Sequence, residues 1–297
     1  MRVLVTGADG FVGGHLVPVL EARHQVVTAP FEITDKAAVG AALEAARPDA
    51  VVHLAAIAAV QEAGRDPDAA WRVNLGGTLN VARALRDQFP RARLLFVGTA
   101  DAYGSSFKSG RALDETAALA PQNTYGATKA AADLALGAMA AEGLQVVRAR
   151  PFNHTGPGQT EAFAVPAFAR QVAQVMAGLA AAISVGNLEA ERDLLDVRDV
   201  CAAYAALLDA ELAPGTVVNI ASGQARRMRD VLGELVRLGG VEAEIRTDPA
   251  RLRPSDIPRA VGDAGLLRGL GWEPRVGWEQ TLRDVLGDWV GRVSTAG

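Results

Sequence analysis

The feature that most constrains this chain is an alternation. Short runs rich in β-branched residues, at 2–6, 25–28, 50–54, 93–97, 146–150 and 216–220, are separated by longer segments rich in alanine and leucine, at 11–21, 37–47, 67–88, 124–142 and 199–208. Stretches such as Leu94-Leu95-Phe96-Val97 are apolar at consecutive positions and not at every second one. That marks strands covered by helices on both faces, and hence a parallel sheet. Strands and helices in such alternation predict a doubly wound α/β fold. With 297 residues, 49% of them hydrophobic, the chain can bury a core of that size without disulfide staples.

Beyond residue 155 the pattern loosens. Proline and glycine cluster at 151–158 and recur at Asp248-Pro249, Arg253-Pro254 and Ile257-Pro258. The expected organisation is a dinucleotide-binding domain of residues 1–155 plus about 193–222, and a smaller C-terminal α/β substrate domain of about 156–192 plus 223–297. Thirty basic against thirty-four acidic residues give a net charge of −4, which excludes the basic footprint of a nucleic-acid binder. The lone cysteine, Cys201, forbids an internal disulfide, suits a reducing cytoplasm and reads as a small buried thiol. The apolar run Val3-Leu4-Val5 is too short for a signal peptide, and the uncharged stretch 171–188 carries too many Gln, Asn, Ser and Gly residues for a membrane span. A soluble cytoplasmic protein is expected. Histidines 15, 24, 53 and 154 share no metal-ligand spacing, and His53, in an apolar run, reads as a core residue. Asp193, Asp196 and Asp199 read as caps and solvated turns, so no metal is expected.

The first run leads into Thr6-Gly7-Ala8-Asp9-Gly10-Phe11-Val12-Gly13-Gly14. Glycines spaced three apart between a strand and a helix allow a tight turn, close approach of main chain to a pyrophosphate, and anion binding at a helix N-terminus. Gly7, Asp9, Gly10, Phe11, Val12 and Gly13 are therefore candidate cofactor residues of a Rossmann-type fold. The second run ends Thr28-Ala29-Pro30, with neither a carboxylate for a ribose 2′-hydroxyl nor an arginine for a 2′-phosphate. Glu32, followed by Ile33, either reaches the adenosine or stands as a solvated loop acid. The choice between NAD and NADP stays open.

Tyr125 and Lys129 are four residues apart at a helix start, which puts both on one helix face. A nearby cation is expected to lower the phenol pKa from about 10, so that Tyr125 exchanges a proton with a substrate oxygen near neutral pH. Thr99 follows the run 93–97, at the carboxyl end of a strand, where such folds bind ligands.

The glycine turn, Thr99, Tyr125 and Lys129 together resemble the extended short-chain dehydrogenase/reductases that modify sugar nucleotides. The resemblance implies Thr99, Tyr125 and Lys129 as the catalytic triad and NAD(P)H as cofactor. It further implies cofactor contacts around Leu54-Ala55-Ala56 and Pro151-Phe152, a role for Asn74, and a homodimer built through a four-helix bundle from the helices near 71–88 and 126–139.

Three further segments are more specific: Arg150 to Gln159, Val185 to Asp193, and Leu252 to Asp256. They resemble the GDP-mannose branch of that family, which implies a GDP-sugar substrate. Two arginines can neutralise a diphosphate, and Arg192 and Arg253 are the candidates. Asn153 and Asn187 are candidate polar contacts, Asp256 a candidate near the nucleoside ribose, and Thr99 and Asp101 candidates at the sugar. Dehydratases of this kind place acids two and three positions after the catalytic hydroxyl residue, or at least a Glu in the second slot. Here the slots hold Ala100 and Asp101, and Asp is one methylene short. A misplacement of about 1 Å costs roughly 100-fold. The short connection after the second strand also resembles ketoreductases. The activity implied is NAD(P)H-dependent reduction of the C4 ketone of GDP-4-keto-6-deoxy-D-mannose to GDP-D-rhamnose. The alternatives are a GDP-mannose 4,6-dehydratase, an NAD-dependent 4-epimerase and, more remotely, a non-catalytic NAD(P)-sensing protein.

Overall fold

The structure, a computed structural model, describes residues 1–251 and 257–295. The first half runs β1 (Arg2–Thr6), α1 (Phe11–Glu21), β2 (Gln25–Thr28), α2 (Lys36–Ala46), β3 (Ala50–His53), α3 (Val60–Arg65), α4 (Pro67–Ala70), a π-helical stretch (Trp71–Gly77), α5 (Thr78–Gln88), β4 (Arg93–Val97), α6 (Thr124–Ala141) and β5 (Val146–Pro151). The second half runs β6 (Asn153–Thr155), α7 (Ala164–Met176), β7 (Ala182–Val185), β8 (Glu191–Asp196), α8 (Val197–Asp209), β9 (Val217–Ile220), β10 (Ala225–Arg227), α9 (Met228–Gly239), β11 (Glu244–Thr247), β12 (Arg259–Ala260), α10 (Gly265–Gly269) and α11 (Trp278–Thr295).

Six strands form a wholly parallel sheet in the order β2-β1-β3-β4-β5-β9. The expected doubly wound α/β fold is thus observed. The reason is visible in the strands' side chains. Val3 and Val5 pack on one face against Leu16 and Leu20 of α1 and Tyr204 and Leu207 of α8. Leu4, between them, packs on the other face with Val39 and Leu43 of α2, Leu85 of α5 and Leu136 of α6. A strand buried on both sides has no polar face, hence the continuous apolar runs. From β1 the chain winds outward to β2, then returns across β1 to β3. That reversal opens the crevice at the strands' carboxyl ends in which such sheets bind ligands.

A second core joins Phe168 and Val172 of α7, Leu232 and Leu235 of α9 and Leu282 of α11 to Ile183 of β7 and Leu194 of β8. Strand β8 is central here: β10 and β12 flank it, and β6 pairs with it in the register Asn153 opposite Leu194.

Two expectations change. The single helix over 67–88 is three pieces, with a π-helical stretch at 71–77 between α4 and α5. Wide turns of this kind recur at functional sites. Here the stretch carries Asn74, which reaches across to the loop after β3. Asp193, Asp196 and Asp199 are not solvated: all three are at most 4% exposed. Asp196 does cap α8, accepting from the Arg198 N–H at 2.8 Å, but it also accepts from Thr281 Oγ1 at 2.8 Å. Asp193 accepts from the N–H groups of Ser222 and Gly223, at 2.8 and 2.9 Å, and Asp199 from those of Arg275 and Val276, at 2.9 and 3.1 Å. A buried carboxylate needs such donors, and apart from Arg198 they lie far away in sequence.

Candidate active site

The glycine turn after β1 is shaped by close contacts. Gly7 has φ +69°, and a Cβ there would sit 2.8 Å from the Ala55 nitrogen, so the turn lies directly on the Leu54-Ala55-Ala56 segment after β3. A Cβ at Gly13 would meet the Ala8 carbonyl oxygen at 2.3 Å. Gly10 caps α1 without a side chain, which leaves the helix's first N–H groups facing out of the turn beside exposed Asp9 and half-buried Phe11 and Val12. Such a cradle fits the diphosphate of a dinucleotide. Glu32 lies further along the same edge. Its Oε1 accepts from the Thr34 N–H at 3.0 Å and the Thr34 hydroxyl at 2.9 Å, which hold its carboxyl below the usual range. Ile33 is a core side chain, buried against Gly77.

Asn74 is fully buried. It accepts from the Ile57 N–H at 2.8 Å and donates to the Ile57 carbonyl at 3.1 Å and to Thr128 Oγ1 at 3.0 Å. Both of its N–H donors are thus used inside the protein. It clamps the loop after β3 to α6.

Thr99 caps the turn after β4, its Oγ1 accepting from the Asp101 N–H at 3.2 Å. Asn123 caps α6 through Gly126 N–H at 2.7 Å, which places Tyr125 in the first turn and Lys129 one turn on. A Cβ at Gly126 would lie 2.8 Å from the Asp101 carbonyl oxygen, so glycine lets α6 start directly on the Thr99 turn. The Thr99 hydroxyl is thereby brought to the Tyr125 phenol, where it favours the ionised form. The fold thus brings Thr99, Tyr125, Lys129 and half-buried Asp101 together at the carboxyl end of the sheet.

The electrostatics depart from the expectation that Lys129 lowers the Tyr125 pKa. Burial pushes the phenol up, the Asp101 carboxylate adds to this, and only the Thr99 hydrogen bond opposes it. Lys129 itself is 3% exposed, with Nζ 4.6 Å over the Phe96 ring, and burial pushes it down to about 7 against the pull of Asp133. His53, behind it, lies 2.8 Å from Thr6 Oγ1 and 3.0 Å from Thr78 Oγ1 and is driven down to about 3 by burial and then by Lys129, so it is a neutral, satisfied core residue.

Pro151 and Phe152 are buried at the end of β5. The Phe152 ring packs with Tyr103 and Phe107. Among the substrate candidates, Asn153 is exposed on β6 and Arg192 lies on the neighbouring β8, its Nη1 donating to the carbonyls of Glu191 and Ile257 at 2.9 and 2.7 Å. Asn187 is exposed in the turn before β8, where its Oδ1 accepts from the Glu189 N–H at 2.9 Å. Arg253 and Asp256 lie outside the described residues. His154 stacks on Phe11, with centroids 6.4 Å apart, and binds the Phe152 carbonyl at 3.0 Å, linking this strand to the glycine turn. Cys201 is buried and its thiol pushed up to about 12 by burial. No cluster among the described residues is arranged to hold a metal.

One group of residues was missed by the sequence reading. Asp133, four residues after Lys129 on α6, is buried between Arg148 and Arg150 of β5, at 2.9 Å from each. Only the i, i+4 relation to Lys129 pointed at it.

Comparison with known proteins identifies the family. The GDP-mannose 4,6 dehydratase family matches residues 20–285. GDP-6-deoxy-D-mannose reductase of Pseudomonas aeruginosa is 39% identical over 98% of both chains. GDP-6-deoxy-D-talose 4-dehydrogenase of Aggregatibacter actinomycetemcomitans is 29% identical over 90% of both. Among solved structures, RMD from Pseudomonas aeruginosa complexed with NADPH superposes with a TM-score of 0.90 at 36% identity, covering 98% of this chain and 99% of that one. UDP-glucose 4-epimerase of Thermus thermophilus in complex with NAD gives 0.88 at 31% identity over the same shares.

Proposed function

The chain belongs to the GDP-mannose 4,6-dehydratase family of extended short-chain dehydrogenase/reductases, and we propose from that premise that it reduces the C4 ketone of GDP-4-keto-6-deoxy-D-mannose to GDP-D-rhamnose. The observation that carries the reading is the near-complete coverage at 39% identity of a GDP-6-deoxy-D-mannose reductase, on a chain that keeps Thr99, Tyr125 and Lys129 together. A nicotinamide dinucleotide, NADH or NADPH, supplies the hydride when bound. The cradle of Gly7, Gly10 and Gly13 at the start of α1 would hold its diphosphate.

The chain's own residues handle the proton. As hydride reaches C4, negative charge grows on the ketone oxygen, and Tyr125 Oη gives that oxygen its proton. Burial, which raises the phenol pKa, keeps the proton on Tyr125 until the alkoxide forms, which is the protonation state a reductase needs. Thr99 Oγ1 donates a second hydrogen bond to the same oxygen and shares the developing charge. Lys129, one helical turn from Tyr125, would hold and orient the nicotinamide ribose. Asn153, Asn187, Arg192, Arg253 and Asp256 are the residues for the GDP moiety, with the two arginines on the diphosphate.

In this reading residues 1–155 and about 193–222 form the dinucleotide-binding domain, and about 156–192 with 223–297 the substrate domain. Two copies pair through α5 and α6; Trp71, at the start of that helical run, is 40% exposed and Leu134 of α6 is 60% exposed. No helix among the described residues is long and apolar enough to cross a membrane, and we place the enzyme in the cytoplasm.

The test is oxidation of NADPH and of NADH by the purified chain with GDP-4-keto-6-deoxy-D-mannose generated in situ. Coenzyme loss matched by GDP-rhamnose supports the reading and settles the coenzyme. No coenzyme loss, with GDP-mannose losing water in the same tube without added dehydratase, refutes it and moves Asp101 into a base role. No reaction with either sends the assignment to the epimerases.

A further inference from the structure

Helix α6 carries Tyr125 and Lys129 and, one turn beyond Lys129, Asp133. Asp133 is 1% exposed, yet three guanidinium N–H groups converge on it. Arg148 Nη1 and Arg150 Nη2 each donate to Oδ1 at 2.9 Å, and Arg150 Nε donates to Oδ2 at 2.9 Å. Arg150 Nη1 also donates to Tyr103 Oη at 3.0 Å, and Tyr103 Oη donates to Asn219 Oδ1 at 2.7 Å. Tyr103 follows Thr99 in the turn after β4. One chain of bonds therefore runs from the helix of Tyr125 and Lys129, through β5, to the turn of Thr99. Buried charges of this kind are poor sources of net stability, since well-packed apolar residues of similar volume often do as well or better. Their position beside a catalytic centre points to another role.

The surroundings of Lys129 supply it. On β4, Phe96 offers its ring face at 4.6 Å. On β3, His53 is neutral. On α6 itself Tyr125 is neutral, and in the turn after β4 Asp101 acts on Tyr125. Asp133 is the carboxylate that acts on Lys129, with Arg148 and Arg150 behind it on β5. We propose that Asp133 is a positioning residue of this active site: held by Arg148 and Arg150, it fixes α6 against the Thr99 turn and supplies the counter-charge for the Lys129 ammonium. The inference rests on the reductase reading only for what Lys129 does in turnover; the electrostatic part is a property of the free protein.

The chain has three lysines, Lys36, Lys108 and Lys129. In protein made with isotope-labelled lysine their side-chain resonances are therefore few enough to titrate individually by NMR, with Lys129→Met assigning the third. In Asp133→Asn the Lys129 midpoint falls by about one pH unit. In Arg148→Gln it rises, because a like charge is gone and Asp133 is less neutralised. With the midpoint moved from about 7 to about 6, turnover of Asp133→Asn drops about fivefold at pH 7 and recovers below about pH 6. Arg148→Gln carries the test alone where Asp133→Asn fails to fold. Midpoints that stay put, or that move in the same direction in both variants, overturn the proposal even where thermal stability falls, for a purely structural pair produces that result. Midpoints that move as stated in a chain that turns over no ketosugar uphold the role of Asp133 and count against the reductase reading instead.

Discussion

Gly13→Ala adds one methyl group to the cofactor turn, and its effect follows from the distances. The new Cβ would lie 2.3 Å from the Ala8 carbonyl oxygen, 2.5 Å from its carbon and 2.6 Å from Ala8 Cα. An ordinary contact begins near 3.4 Å, so the gap must open by 3.4 − 2.3, about 1 Å. Every clashing atom is main chain, so no rotamer change relieves it. The turn must pull away from α1, and the helix's first N–H groups then no longer aim at the same point. Each charge-assisted hydrogen bond lost from a diphosphate costs about 1.5–3 kcal/mol, so one such loss weakens NADPH binding about tenfold to a hundredfold. Overpacking costs a further ~1–3 kcal/mol of stability. Gly14→Ala is the control. Gly14 is exposed, has nothing within 4 Å of its Cβ and sits inside α1, so alanine there stabilises by about 0.5–1 kcal/mol through helix propensity and unfolded-state entropy. Fluorescence titration with NADPH and thermal melts of both variants measure these quantities. A Gly13→Ala protein that binds NADPH as tightly as the parent, or a Gly14→Ala protein equally impaired, refutes the claim that this turn grips the diphosphate through its main chain.

Other expectations follow from the site. Tyr125→Phe loses about 100-fold to 10,000-fold in turnover with NADPH affinity within a few-fold of the parent, as read by steady-state rates and titration; lost coenzyme binding would contradict the proton-donor role. Asn74→Ala leaves the Ile57 N–H and carbonyl without the amide that satisfies them, at about 1–3 kcal/mol for each group left unpaired, while the Thr128 hydroxyl keeps the Tyr125 carbonyl; an unchanged melting profile by calorimetry would rule out the clamp. Lys129→Met abolishes turnover but raises stability at low pH. The sign is fixed by linkage: with Lys129 at about 7 in the fold against its ordinary 10.5, the unfolded chain holds the extra proton between those values, so parental stability rises with pH across that window. The gain of Lys129→Met over the parent is therefore largest below pH 7 and shrinks toward pH 10, and denaturant melts that show a gain independent of pH would remove the buried charge as its cause. Trp71→Glu with Leu134→Glu yields a monomer by light scattering, whereas an unchanged mass in a dimeric parent would move the interface elsewhere.

What could be read in advance is what local physics fixes. The strands showed themselves because β1, β3 and β4 are buried on both faces, so almost every residue in them had to be apolar. The glycine turn showed itself because Gly7 needs a positive φ and Gly13 tolerates no Cβ, and both constraints act within a dozen residues. Tyr125 and Lys129 were legible because one helical turn separates them. The π-helical stretch was not, because its helix keeps an ordinary helical sequence and the widening serves Asn74, whose partners Ile57 and Thr128 lie 17 and 54 residues away. The burial of the three aspartates was hidden for the same reason. Asp196 caps α8 as expected, but none of the three is solvated, and most of the donors that make burial tolerable sit at 222–223, 275–276 and 281.

Proton affinity at the centre was the least legible property, and the cause is desolvation. A cation four residues from a phenol lowers its pKa only while the cation is charged and the phenol is free of a larger penalty. Here Lys129 is buried and Tyr125 half-buried, desolvation pushes Tyr125 up and Lys129 down, and the two shifts together favour a neutral pair over tyrosinate and ammonium. For a reductase the upward shift of the phenol is the productive one, whereas the downward shift of Lys129 works against the ammonium that turnover uses. The phenol must arrive protonated, and it gives up its proton only when the ketone oxygen has become the stronger base. The counter-charge at Asp133 keeps a share of Lys129 charged at neutral pH, so the same site holds an acid at Tyr125 and a cation beneath it without requiring either to leave the protein interior.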